Sequence, residues 1–170
     1  MIKDYRTAVR ALRKIDSDVQ IGISFADYHS RLLDAASDAK AAMAAIIVDF
    51  GGKKTDTLPG PFLEVTEAES SYESADELWR FYFRMREASD YQAPENEVSV
   101  DGLSLDMLRA TMNDSPENKA QYDCLSQLPT INIGGQDYIR LSRALSCYWN
   151  AASTLLAHAE AKIAMLKPSR

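Results

Sequence analysis

Apolar residues recur along this chain at steps of three and four, which places each set on one face of an α-helix. A set that repeats every seven residues forms a seam, and such seams pack against one another. Three seams are present. They comprise Ile21, Phe25, Tyr28, Leu32, Ala35, Ala39, Ala42 and Ile46; then Val65, Ala68, Tyr72, Ala75, Trp79 and Tyr82; and finally Leu141, Leu145, Tyr148, Ala152, Leu155, Ala159, Ile163 and Leu166.

The seams predict three long helices of similar length, over about residues 24–50, 62–89 and 138–166. Each is roughly 40 Å long at 1.5 Å per residue, and matched lengths suit a bundle because no apolar seam then projects into water. An amphipathic stretch over residues 2–19 is the natural fourth member, and the short loop at 51–61 makes the first long pair antiparallel. We therefore predict an all-α fold, an antiparallel up-and-down four-helix bundle.

Two helix boundaries depend on capping residues. Gly22 lies where the phase of the apolar pattern slips, and Ser24 with Asp27 resembles a capping box, which predicts a break at 20–24. Ser74 with Glu77 resembles a second capping box. The apolar pattern keeps its phase across Ser74, so we predict one continuous helix there.

Residues 90–137 interrupt the helical pattern and are predicted to be an insertion at one end of the bundle, within a single domain of residues 1–170. Alternation around Asp101-Gly102 is a hairpin signal over 98–105, although 105–112 suits a short helix equally well. A second short helix is predicted from Ser115-Pro116 to a point before Pro129, followed by a short strand and turn over 131–135.

The net charge of −6 and a pI near 4.9 argue against nucleic acid or an anionic membrane as the main partner. The net charge is an average over the whole chain, so a local basic patch is compatible with it. Basic residues of the first helix lie mostly off its apolar stripe: Arg6, Arg10, Arg13 and Lys14.

The N-terminus is charged from its third residue and lacks the apolar stretch of a signal peptide. The most apolar run, residues 41–48, is too short to span a bilayer, which needs about 20 residues. Cys124 and Cys147 lie far apart and form no Cys-x-x-Cys motif, so we expect free thiols in a reducing cytoplasm.

No catalytic, cofactor-binding or metal-binding motif is present. His29 and His158 are the only histidines, and neither has a second ligand at metal-binding spacing. The glycine pairs Gly51-Gly52 and Gly134-Gly135 lack the spacing of phosphate-binding loops. Arg80 and Arg84 suit surface ion pairs with Glu77, and binding of a carboxylate is the alternative.

Aromatic residues are numerous for seams otherwise rich in alanine. Large side chains opposite small ones are typical of bundle packing, whereas an aromatic-lined ligand cleft is the alternative interpretation. The residues concerned are Tyr72, Trp79, Tyr82, Tyr148 and Trp149.

The segment from Val19 through Ala42 contains Gly22, an aromatic-x-x-Tyr element at Phe25 and Tyr28, a Leu-rich stretch, and the sequence Asp-Ala-Lys-Ala-Ala at 38–42. It resembles a recurring segment of small bacterial helical proteins that have no assigned activity, and Ala68, Tyr72, Ala75 and Trp79 are similar to their second helix. The resemblance implies a helical bundle. First candidates for a site shared with that family are Asp27, Tyr28, Asp38 and Lys40.

These observations favour a non-enzymatic interaction or adaptor domain that binds a protein partner or forms a homo-oligomer. A bundle that binds a small molecule in an aromatic-lined cleft is the alternative function. We expect neither a cofactor nor a metal ion.

Overall fold

A computed structural model describes residues 1–51, 61–87, 95–99 and 116–166. Helices dominate these residues and a small antiparallel sheet accompanies them, which confirms the predicted fold class. The elements are α1 (Ile2–Gln20), α2 (Phe25–Asp49), α3 (Pro61–Glu87), β1 (Glu97–Ser99), α4 (Pro116–Ser126), β2 (Ile131–Ile133), β3 (Gln136–Arg140) and α5 (Leu141–Met165).

The break between α1 and α2 lies where the capping residues predicted it. Gly22 adopts a φ of +82°, a conformation that side-chain-bearing residues rarely reach. The Ser24 hydroxyl accepts a hydrogen bond from the Asp27 backbone N–H at 3.2 Å and caps α2. The assignment of Ile21 to the second helix's seam was wrong: α1 ends at Gln20, and Ile21 lies in the turn with 84% of its surface exposed.

Helix α3 runs through Ser74 without interruption, as its unbroken apolar phase predicted. The predicted start of the last helix at residue 138 was wrong, because Tyr138 and Ile139 belong to strand β3 and α5 begins at Leu141. Both residues pair with β1 in extended conformation, so the helix begins only after the strand has ended.

The chain divides into two compact units, with one boundary inside α3 and the other inside α5. The first unit contains residues 1–73 and 152–170, and the second contains residues 74–151. The proposed insertion over 90–137 lies within the second unit and includes undescribed residues, so the single domain with an insertion stays a prediction.

Ion pairs and hydrogen bonds set the helix directions in the first unit. Asp18 with Arg31 and the Met1 ammonium with Asp49 join α1 to α2 in antiparallel order. Helix α5 is antiparallel to α1, because Arg13 bonds to Glu160 and Asp16 bonds to Ser153. Helix α3 is parallel to α1, because Tyr5 lies near Glu64 and Asp16 bonds to Tyr72. The predicted up-and-down order is confirmed.

In the second unit the sheet has the strand order β1-β3-β2, with both pairs antiparallel. Strands β2 and β3 form a hairpin whose turn residues, Gly134 and Gly135, both have positive φ, as a tight hairpin turn requires. The predicted strand and turn over 131–135 and the short helix before Pro129 are confirmed. Val98 pairs with Ile139 of β3, and the predicted hairpin turn at Asp101-Gly102 lies outside the described residues.

Cys124 of α4 and Cys147 of α5 form a disulfide bond, with their Cα atoms 5.8 Å apart. The prediction of free thiols was wrong. The two cysteines are 23 positions apart in sequence, and the β2–β3 hairpin between them brings α4 back to α5. Disulfides persist mainly in oxidising compartments, so the cytoplasmic assignment loses the support that free thiols lent it.

Candidate functional site

A buried carboxylate organises one side of the first unit. Asp16 is 8% exposed and accepts hydrogen bonds through both oxygens. Its Oδ1 accepts from the Tyr72 hydroxyl at 3.2 Å, and its Oδ2 accepts from Arg13 Nη1 at 2.7 Å and from the Ser153 hydroxyl at 2.9 Å. Because every donor has a fixed acceptor, the network positions Arg13 at the surface between α1 and α5.

Arg13 is also held by a second carboxylate. Its Nε donates to Glu160 Oε1 at 3.3 Å and its Nη2 donates to Glu160 Oε2 at 2.9 Å, a bidentate pair. The hydrogen bond to Glu160, followed by that to Asp16, raises the pKa of Arg13 above its already high ordinary value. The guanidinium is therefore permanently charged and its position is fixed from both helices.

A cavity of about 430 Å³ lies along this side of the first unit. Val9 and Ile163, each 4% exposed, form its apolar floor, and the exposed Ala164 borders it. Helices α1 and α5 contribute all of its lining residues, and we call this feature the arginine-lined groove: Arg6, Val9, Arg10, Arg13, Glu160, Ile163 and Ala164.

Three arginines follow one face of α1 in the groove, at positions 6, 10 and 13. Their spacing of four and then three residues covers about 10 Å of helix axis. Arg6 and Arg10 are exposed, and neither forms an ion pair with a residue in the described part of the chain. The groove thus combines three guanidiniums with one carboxylate, and that carboxylate is already paired with Arg13.

The residues indicated by the family resemblance do not form a site together. Asp27 supports the N-terminal cap of α2, and Asp38 is exposed. Tyr28 is fully buried, and its hydroxyl donates to the backbone oxygen of Tyr72 at 2.8 Å. Lys40 follows Tyr28 by twelve residues, about 18 Å along the helix, and pairs with Glu69 and Glu73 of α3.

Two tryptophans of the second unit contact each other, and a neighbouring tyrosine accepts a backbone hydrogen bond. The Trp79 and Trp149 rings are tilted with centroids 6.1 Å apart, and the Tyr82 hydroxyl accepts a hydrogen bond from the Asn96 backbone N–H at 3.1 Å. Burial raises the pKa of Tyr148 to about 12. In the first unit, His29 is half-buried with its ring 6.0 Å from that of Phe25.

No family model matches the chain, and no curated protein or solved structure is significantly similar to it. Among the described residues, no group of three or more histidine, cysteine, aspartate or glutamate side chains is placed to hold a metal ion. Within the same ranges, none of the helices is long and apolar enough to cross a membrane. The candidate site rests on the geometry of the arginine-lined groove alone.

The basic residues of α1 are visible in the sequence, but the groove is not. Their signal is the run of Arg6, Arg10 and Arg13 at helical spacing, off the apolar stripe of an otherwise acidic chain. The second wall, Glu160 through Ala164, lies almost 150 residues further along and joins them only when α5 packs against α1.

Proposed function

We propose that this protein is a non-enzymatic interaction domain that binds a negatively charged partner in the arginine-lined groove. One observation carries the proposal: Arg6 and Arg10 border an apolar-floored groove without an ion-pair partner among the described residues. Arg13, by contrast, is paired within the fold with Asp16 and Glu160. Two adjacent guanidinium groups are suited to bind carboxylate or phosphate groups of another molecule.

The chemistry of the groove supports binding rather than catalysis. Guanidinium groups remain protonated at all physiological pH values, so they orient and neutralise anions but transfer no protons. The only carboxylate in the lining, Glu160, accepts two hydrogen bonds from Arg13. The described residues that line the groove include no histidine, lysine, tyrosine or cysteine, which are the usual general acids and bases besides carboxylates.

A small anionic molecule is the competing occupant. The groove volume of about 430 Å³ lies within the range of small-molecule sites, roughly 300–1,000 Å³. Such sites are usually lined by aromatic and apolar side chains, whereas no aromatic residue lines this groove among the described residues. The open, arginine-bordered form favours a larger partner that contributes its own apolar surface.

The test is anion binding with matched variants. Fluorescence anisotropy of a labelled poly-glutamate peptide is measured for the native protein, for Arg6→Gln/Arg10→Gln, and for Arg143→Gln, which removes one charge from an exposed site outside the groove. We expect binding that weakens with added salt, is lost in the double variant and is retained in Arg143→Gln. Equal binding by all three proteins, or by none of them, would remove the groove as the contact surface.

A further inference from the structure

Resting on the proposed function, we infer that the partner element in the arginine-lined groove is an acidic amphipathic α-helix. Its carboxylates, spaced four residues apart, face Arg6 and Arg10. Its small apolar side chains cover the floor formed by Val9 and Ile163 and contact Ala164 at the rim.

The secondary structure of the partner follows from the backbone chemistry of the groove. Both walls are helices, whose backbone N–H and C=O groups are already bonded to each other. An extended segment lying on these walls would bury its own backbone polar groups without partners, at a cost in free energy. A helix satisfies its backbone internally and docks through side chains alone, as in other helix-in-groove complexes.

The shape of the groove agrees with this choice. Helices α1 and α5 are antiparallel neighbours, and the valley between two packed helices accepts a third helix by the same ridge-and-groove packing that holds a bundle together. Ala164 has a short side chain at the rim, so a partner helix can approach closely there. The occupant would add a helix to the α1–α5 side of the bundle.

The charge pattern selects an acidic helix. Arg6 and Arg10 lie about 6 Å apart along the α1 axis, because four residues rise 1.5 Å each. A partner helix has the same rise, so glutamates at positions i and i+4 repeat at the same interval and reach both guanidiniums. The chain as a whole carries a net charge of −6, so attraction to an acidic partner requires a local basic surface such as this one.

The experiment uses two labelled synthetic peptides of equal composition and of about 18 residues, long enough to form helix. The first places its glutamates at i, i+4 and i+7 on one face beside an alanine and leucine stripe. The second distributes the same residues around the helix, and circular dichroism matches the helicity of the two. Binding to the intact protein is measured by fluorescence anisotropy at low salt.

We expect the one-face peptide to bind about tenfold more tightly than the distributed peptide, in keeping with two exposed ion pairs gained together. Arg6→Gln/Arg10→Gln should abolish this preference, and Arg143→Gln should preserve it. Arg6 and Arg10 are exposed, so the variants should keep the native melt, and circular dichroism checks that they do.

The outcomes separate this inference from the proposed function. Equal binding of both peptides, with loss in the double variant, leaves the groove as an anion-binding surface but overturns the acidic helix. Binding of inorganic phosphate, of anionic lipid vesicles or of an oligonucleotide at these arginines, without binding of either peptide, also overturns it. Failure of both peptides and of poly-glutamate removes the proposed function as well.

Discussion

The hydroxyl of Tyr72 on α3 donates a hydrogen bond to Oδ1 of Asp16 on α1, over 3.2 Å and in a buried position. The same carboxylate accepts from Arg13 of its own helix and from Ser153 of α5. One side chain therefore joins three helices of the first unit, and it also fixes Arg13 at the edge of the groove.

Tyr72→Phe should lower the free energy of unfolding by about 1–2 kcal/mol, because the phenylalanine ring keeps the packing and leaves Asp16 short of one donor. Urea denaturation followed by circular dichroism measures the change. Tyr28→Phe is the matched control: its hydroxyl donates to the backbone oxygen of Tyr72 and not to a carboxylate, so its loss should cost less. An effect of Tyr28→Phe as large as that of Tyr72→Phe would contradict a special role for Asp16.

Glu69 makes stability depend on pH. Burial raises the pKa of this carboxyl above its ordinary value of 4.5, and the hydrogen bond to Lys40 opposes the rise without cancelling it. The folded state thus holds the proton more tightly than the unfolded chain does. The stability contributed by Glu69 is full below the unfolded-state pKa and is lost as the pH rises through the folded-state pKa.

Glu69→Gln removes this titration, so its free energy of unfolding should improve relative to the native protein as the pH rises from about 4 to about 7. Urea denaturation at a series of pH values measures the difference. Glu73→Gln is the control, because Glu73 pairs with the same Lys40 from an exposed position. A difference that is constant across this pH range would exclude Glu69 as its source.

Leu155 lies in the middle of the α5 seam and is 1% exposed. Leu155→Asp would bury an unpaired charge, at a cost of several kcal/mol against a total stability of roughly 5–15 kcal/mol for a domain. We expect loss of the cooperative thermal transition, measured by circular dichroism. The exposed neighbour variant Ala157→Asp should keep that transition. A melting temperature for Leu155→Asp within a few degrees of the native value would refute the seam.

Ser24 caps a helix, whereas Ser74 lies inside one. Ser24→Ala should lower the free energy of unfolding by about 1 kcal/mol, because the Asp27 N–H loses its acceptor. Ser74→Ala inside α3 should change it little or raise it, since alanine favours helix. Chemical denaturation of both variants decides the matter, and the opposite order would place the helix boundary at the wrong serine.

The disulfide between Cys124 and Cys147 should stabilise the protein by about 3 kcal/mol, the value expected for closing a loop of this length in the unfolded chain. Urea denaturation with and without reductant measures it. Cys124→Ser/Cys147→Ser should match the reduced protein and should not respond to reductant. The protein with its original sequence is unfolded without reductant, alkylated and analysed by mass spectrometry. No cysteine should be modified, and two modified cysteines would contradict the bond.

The sequence predicted those features that depend on neighbouring residues. Gly22 and Ser24 mark the α1–α2 break because their effect is on the local backbone, and the unbroken phase of α3 across Ser74 is visible without a structure. Features that depend on distant pairing were missed. Val98 contacts Ile139, and Cys124 bonds to Cys147, only when elements far apart in sequence pack together.

The candidate site shows the same division. Arg6, Arg10 and Arg13 share a helical face by spacing alone, so their clustering is legible in the sequence. The different roles of these three arginines cannot be read from the sequence. Arg13 is neutralised by Glu160 and Asp16, whereas Arg6 and Arg10 meet no described carboxylate, and this distinction follows from the packing of α5 against α1.

The Cys124–Cys147 bond also closes residues 124–147 into a covalent ring that contains the whole β2–β3 hairpin. The exposed Gly134-Gly135 turn lies on this ring. A protease that cuts there would open the ring without dividing the molecule, because the sulfur bridge still holds the two pieces. Nicked protein would therefore migrate as one species in a non-reducing gel and as two in a reducing gel.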